Sequence, residues 1–339
     1  MPLRTWILLL LAVMVAIAAG LAIGAVSLPI GDVWRALSGA GDPSVVSIVQ
    51  SLRLPRVALG LAVGSGLGMS GAAMQATLRN PLAEPYLLGV SGGAAVGAVA
   101  AIALRIAAPA LLPVAAFAGA ALAVAIVLGV ARAAGAQNDA RVLVMAGVVV
   151  GAFANAAIMV VLANAPAEDV RGALWWMMGS LNDASWNSVR WIGLYVAIGG
   201  AALLAFGREI ELLALGEDPA AALGVDVARA TRRVYLLASL LAAVTVAGAG
   251  LIGFVGLVVP AMVRGLGARS ARSVIVGAAL AGAALLVAAD VVARTARAPA
   301  ELPLGAVTAL IGVPFFLMRL RSRGDRQGRC AALASGNAR

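Results

Sequence analysis

Two apolar runs flank a short polar break between Arg53 and Gly97, RLPRVALGLAVGSGLGMSGAAMQATLRNPLAEPYLLGVSGGAAVG, and few folds accommodate that pattern. The first run carries glycines at 60, 64 and 68, the second at 89, 93 and 97. On a helix, a small residue at every fourth position lines one face. A neighbouring helix can then come close, which is how membrane helices pack where burial from water supplies no drive. The break contributes two prolines. Proline lacks a backbone donor and disfavours the α region for the residue before it, so Asn80-Pro81 and Glu84-Pro85 end one helix and start the next. The expectation is two closely packed helices joined by a stiff turn.

Such runs recur along the chain. Ten apolar segments, at about 6–27, 57–77, 87–104, 110–132, 142–163, 189–206, 234–252, 254–267, 273–293 and 303–319, approach the roughly 20 residues of a bilayer span. The eighth is short and contains Pro260, which reads as a structural break like those at Asn80, Pro81 and Pro85. The chain is 63% hydrophobic and 12% charged, against about 45–50% and about 25% in soluble domains. The 339 residues therefore read as an all-α polytopic integral membrane protein of about ten transmembrane helices. The first segment has an apolar run of about 22 residues, longer than the roughly 7–15 of a signal peptide, and reads as a retained span.

Charge tests this count. The net charge of +10 is carried by 25 arginines, with no lysine. If ten spans alternate from a cytoplasmic N-terminus, 17 arginines fall inside and 8 outside. Cytoplasmic loops are the ones enriched in basic residues, so both termini are expected in the cytoplasm. A nine-span count would put the arginine-rich tail outside. The arginines lie between apolar runs, which topology explains and nucleic-acid binding does not.

What is missing narrows the chemistry. There is no histidine, and the one cysteine, Cys330, lies in the polar tail. No disulfide can form within the chain, no imidazole can relay a proton, and no resident metal site is expected. Without lysine there is no P-loop, whose lysine reaches the nucleotide phosphates. If ATP drives transport, ATP and magnesium bind another polypeptide and this chain holds no cofactor. A secondary transporter would carry ionisable groups deep in its spans, whereas Asp290 lies near a span end and mid-span charges are almost absent. A membrane enzyme would have few catalytic candidates.

Two polar segments stand apart. One, roughly 28–56, falls outside and ends in Arg53-Leu-Pro-Arg56. The other, 208–233, falls inside between the sixth and seventh spans and reads as two short helices. Glu217-Asp218-Pro219 is a helix start, with acids and proline in the first turn, and Gly224 is a stop.

RLPR at 53–56, RNPLAEPYLLGVSGGAA at 79–95, LALGEDPAAALGVD at 213–226, GLIGFVGLVVPAMVR at 250–264 and ADVVARTARAPAELPLGAVTALIGVPFFL at 289–317 share one further property. In order, and over nearly the whole chain, they resemble the iron-chelate and vitamin B12 permeases of binding-protein-dependent ABC importers. The resemblance implies a single permease domain over 1–339, paired with a second copy as a homodimer around a path on its two-fold axis. It further implies two ATP-binding cassette subunits below, a periplasmic or lipid-anchored solute-binding protein above, and the bacterial cytoplasmic membrane as location. The substrate it implies is a bulky metal chelate, a ferric siderophore first, then cobalamin or haem.

The resemblance also assigns roles. Arg53, Arg56 and Arg294 match arginines that receive carboxylates of the binding protein. All three fall outside by parity, where interfacial snorkelling would be the plainer explanation without the resemblance and docking is favoured with it, and Arg294 lies four residues after Asp290, the spacing of a helix-face pair. Leu215, Gly216, Glu217 and Asp218, with the helix through Ala221 and Leu223 to Gly224, match the segment that couples to the ATPase. Gln137, Asn138 and Asp139 lie in the loop matching the inner gate. Met145, Gly151 and Asn155, on the fifth span, are candidates for the path lining, although helix packing accounts for them equally. Where the family often carries histidines, this chain has Ala261 and, in the next inner loop, Ser270 or Ala271.

Overall fold

The computed structural model describes residues 1–106, 111–135, 140–316 and 318, and every regular element among them is helical. In order these are α1 (Leu3–Ala22), α2 (Ile30–Leu37), α3 (Pro43–Ser47), α4 (Leu54–Thr77), α5 (Val90–Ala103), α6 (Leu111–Ala133), α7 (Ala140–Ala163), α8 (Ala167–Met177), α9 (Trp186–Ala205), α10 (Gly207–Leu213), α11 (Glu217–Ala222), α12 (Val227–Ala249), α13 (Val255–Gly265), α14 (Ala271–Thr295) and α15 (Leu304–Phe316). A π-helical turn, Ile48–Arg53, joins α3 to α4, so the helical rod begins at Pro43, well before the apolar run. Among the described residues seven helices are long and apolar enough to cross a membrane, and α5, α13 and α15 are shorter apolar helices. Each of the ten apolar segments overlaps one of these ten.

The glycine ladders do not face each other. α4 packs on α14, α12, α9 and α13, whereas α5 packs on α6 and α7. A Cβ at Gly64 would collide with the Gly282 carbonyl, and one at Gly68 with the Ala278 carbonyl, so α4 and α14 meet backbone to backbone and run antiparallel. Gly93 meets Gly119 of α6 in the same way, and Gly97 meets Ala115. The expected helix pair is thus two separate pairs, each ladder serving a different neighbour.

The reason is the connection. After α4, Asn80 Oδ1 accepts from the Leu82 amide at 2.9 Å, a local turn. The chain then enters the bundle through a 3-10 turn at Pro85–Leu88, and Gly89 adopts φ +83 before α5 starts. This ascent meets a second non-helical stretch, Gly250–Phe254, which precedes α13. Glu84 Oε1 accepts from the Phe254 amide at 2.7 Å, and the Tyr86 hydroxyl accepts from the Ile252 amide at 2.9 Å. Backbone groups released by unwinding inside a membrane protein must find partners within it. Here the two unwound stretches are joined through side chains, which is why α5 and α13 are short.

Pro260 does not break the chain as expected; it lies within α13. Proline cannot donate to the carbonyl four residues earlier, here Gly256. Gln75 of α4 replaces the missing donor: its Nε2 donates to the Gly256 and Leu257 carbonyls at 3.3 and 3.0 Å. Arg264 in turn donates to Gln75 Oε1. The helix continues through proline because a neighbouring side chain completes its hydrogen bonding.

Candidate functional site

The rod through α4 connects two charged regions. At its first end, α1 terminates and leaves C-terminal carbonyls without helical partners. Arg53 Nη1 donates to the Leu21 and Ala22 carbonyls at 2.6 and 2.9 Å, and Nη2 donates to Val26. Arg294 Nη2 donates to the Gly20 carbonyl at 2.6 Å. A cation at a helix C-terminus also meets the negative end of the helix dipole. Both arginines are 6% exposed.

Arg56 sits beside them and binds across the bundle. Its Nε and Nη2 hold Asp290 at 2.8–3.1 Å, a two-pronged contact, while Nη1 and Nη2 reach Glu301 at 3.0 and 2.8 Å. Asn182 accepts from Nη1. Arg294 Nε lies 3.6 Å from Asp290, so the i,i+4 pair is present and Asp290 is shared between two arginines. Glu301 lies in the loop before α15. Burial pushes its carboxyl up, but the hydrogen bond and charge of Arg56 outweigh that and leave it below its ordinary value.

The three arginines assigned to docking are therefore brought together beside the end of α1, Arg56 and Arg294 sharing Asp290. Their donors are directed into the chain, and of the three only Arg56 keeps an exposed edge. Asp290, Glu301 and Asn182, which complete the cluster, were not among the sequence candidates. The signals available were the carboxylate inside an otherwise apolar run and its spacing from Arg294.

The opposite end is built differently. α10 and α11 form an arm around a small core of Leu213, Ala220 and Ala230. The turn between them needs glycine: Gly216 has φ +126, and Gly224, which ends α11, has φ +82. Leu215 and Leu223 project, 62% and 56% exposed. Asp218 and Ala221 are exposed as well. Glu217 meets Arg79, at the end of α4, across 3.2 Å, and both side chains are about half exposed. The coupling candidates thus share one projecting element.

The path candidates fall on α7. Met145 is 66% exposed, Asn155 is exposed, and a Cβ at Gly151 would meet nothing. Val149, Phe153 and Met159 extend the same uncovered apolar surface, and Leu310 of α15 is uncovered too. Gln137, Asn138 and Asp139 lie outside the described residues. Among the described residues no group of three histidine, cysteine or carboxylate side chains is placed to hold a metal.

Comparison with known proteins identifies where this architecture recurs. Residues 9–322 match the profile of the FecCD transport family. The cobalamin import system permease protein of Halobacterium salinarum is 45% identical over 280 residues, covering 82% of this chain and 74% of that protein. The hemin transport system permease protein of Yersinia pestis is 39% identical, covering 94% and 96%. Among solved structures, an inward-facing putative metal-chelate type ABC transporter superposes with a TM-score of 0.83 at 29% identity, covering 93% and 97%.

Proposed function

The chain belongs to the FecCD transport family, and on that premise we propose that it conducts a bulky metal chelate, a ferric siderophore before cobalamin or haem, into the bacterial cytoplasm. As a member of that family it is a multi-pass membrane permease of an ABC importer, a transporter subunit and not an enzyme. The observation that carries the reading is the family match along nearly the whole length, joined to the superposition on a transporter of metal-chelate type. The relatives named for cobalamin and hemin support a chelate of that size. The absence of histidine favours a path that conducts its cargo without ligating its iron.

In this reading residues 1–339 form one permease domain of ten spans with both termini in the cytoplasm, supported by the ten apolar helices and by the 17 to 8 division of arginines. Two copies meet through α7 and α15, on which Met145, Val149, Phe153, Met159 and Leu310 are exposed. Met145, Gly151 and Asn155 then line the passage between them, and Gln137, Asn138 and Asp139 close its inner end. The solute-binding protein docks at the Arg56 end. Arg56, the one of the three that keeps an exposed edge, faces the binding protein, while Arg53 and Arg294 stand behind it and hold α1 in place.

The arm of residues 208–233 couples to two ATPase subunits, which bind ATP and magnesium. Leu215, Gly216, Glu217, Asp218, Ala221, Leu223 and Gly224 form the inserted surface. The support is physical: Leu215 and Leu223 project from a polar element and are exposed among the described residues. The test is Leu215→Ala combined with Glu217→Lys, reconstituted with the ATPase and binding protein. Uptake and stimulated ATP hydrolysis should fall at least about tenfold while thermal unfolding stays unchanged, since exposed substitutions cost about 0.5 kcal/mol or less. Retained stimulation would overturn the assignment.

A further inference from the structure

A second feature of the arm end is independent of the cargo and rests on the reading above that this end faces the cytoplasm. A cavity of about 280 Å³ opens between the α9–α10 junction and the start of α12. Arg208, Arg229 and Arg233 line it, together with Glu209 and Asp226. Asp226 is already engaged: it caps α12 by accepting from the Arg229 amide at 3.0 Å, and it pairs with Arg229 Nε at 3.0 Å. Arg208 and Arg233 have no ion pair or hydrogen bond among the described residues. They come from different elements and converge on one cavity, whose remaining walls include Phe206 and Leu212.

Beyond this cavity α9 and α12 pack together and leave apolar side chains exposed. Gly199 of α9 packs against Leu241 of α12, which brings the two helices close and sets Ile198 and Leu240 at one height. Leu194 and Ile198 of α9 and Leu240 of α12 are exposed above the cavity, and Leu237 is half-buried between Leu240 and Arg233. The preference for basic residues on the cytoplasmic side accounts for arginines at this end. It does not account for two arginines without an ion pair among the described residues lining one cavity beside exposed apolar residues of α9 and α12. Basic cavities between helices on that side are suited to lipid headgroups, and anionic ones gain most.

We propose that this cavity binds the phosphate headgroup of an anionic phospholipid. Arg208 and Arg233 take the phosphodiester oxygens, and one acyl chain lies along the exposed apolar residues of α9 and α12. Arginine suits the task because its planar donor fork matches phosphate oxygens. Glu209 and Asp226 restrict the occupant to a group that meets the arginines without approaching the carboxylates, so a compact headgroup fits better than a multiply charged one.

The experiment uses the full-length chain in nanodiscs of phosphatidylcholine containing a trace of fluorescent phosphatidylglycerol, with native mass spectrometry of the chain purified from its membrane. Wild type should retain phosphatidylglycerol, and Arg208→Gln with Arg233→Gln should reduce the retained lipid by about tenfold or more. A control that loses the same charge at the same end, Arg4→Gln with Arg269→Gln, should retain it. Equal loss in the control would reduce the effect to general surface charge and overturn the site. Full retention in the cavity variant would overturn it directly. Displacement of the lipid by millimolar inorganic phosphate would assign the cavity to a free anion and overturn the lipid reading. If instead the ATPase subunit, added at saturation, expels the lipid and its binding is lost in the cavity variant, the occupant is an acidic side chain of the partner and the proposal fails.

Discussion

The two ends of α4 carry the same residue types and use them in opposite ways. At the Arg56 end three arginines and two carboxylates are drawn inward, with Asp290 shared by Arg56 and Arg294 and the α1 carbonyls capped by Arg53 and Arg294. At the arm end Arg79 and Glu217 meet in the open, beside exposed leucines. The contrast separates two functions of charge in one membrane protein. Buried pairs hold helix ends together and are costly to break, whereas exposed pairs contribute little and leave their residues available to partners.

That contrast can be broken at its strongest point by Asp290→Ala. Removing it leaves Arg56 with Glu301 alone and takes from buried Arg294 its ion pair, and loss of one partner of a buried pair typically costs about 3–5 kcal/mol. Thermal unfolding in detergent should show a large fall in the melting temperature; a near-neutral result would mean that water reaches the cluster. Arg53→Gln comes next. It removes charged donors to two carbonyls at the end of α1 and to that of Val26 beyond it, and bonds to charged groups are worth about 1.5–3 kcal/mol each before relaxation. Faster amide exchange confined to the last turn of α1 is the expected signature, and unchanged protection there would remove the capping role. The smallest effect belongs to Arg79→Ala, at about 0.2–1 kcal/mol for an exposed pair. Unfolding should barely shift, and a loss comparable to that of Asp290→Ala would erase the distinction between the two ends.

Much of the architecture was legible in the chain. Ten apolar segments became ten apolar helices, and Glu217-Asp218-Pro219 with Gly224 bounded α11 because acids, proline and glycine act over one helical turn. The arm candidates came out together for the same reason, since they are neighbours in sequence. The glycine ladders were visible but their partners were not: nothing local says that Gly64 meets Gly282 and Gly93 meets Gly119. Pro260 read as a break because its rescue by Gln75 comes from 185 positions earlier in the chain. The arginines read as exposed because parity places a span end without saying what surrounds it.

The sequence alone determined a helical membrane protein with no P-loop lysine and no imidazole, since hydropathy and residue inventory require no neighbours. Tertiary structure alone decided which charges are free. Arg56 and Asp290 are 234 residues apart in the chain yet bonded at 2.8 Å. Whether an arginine at a span end awaits a partner or already has one depends on which helices pack, and that is settled by backbone contact between glycines, not by the arginine itself.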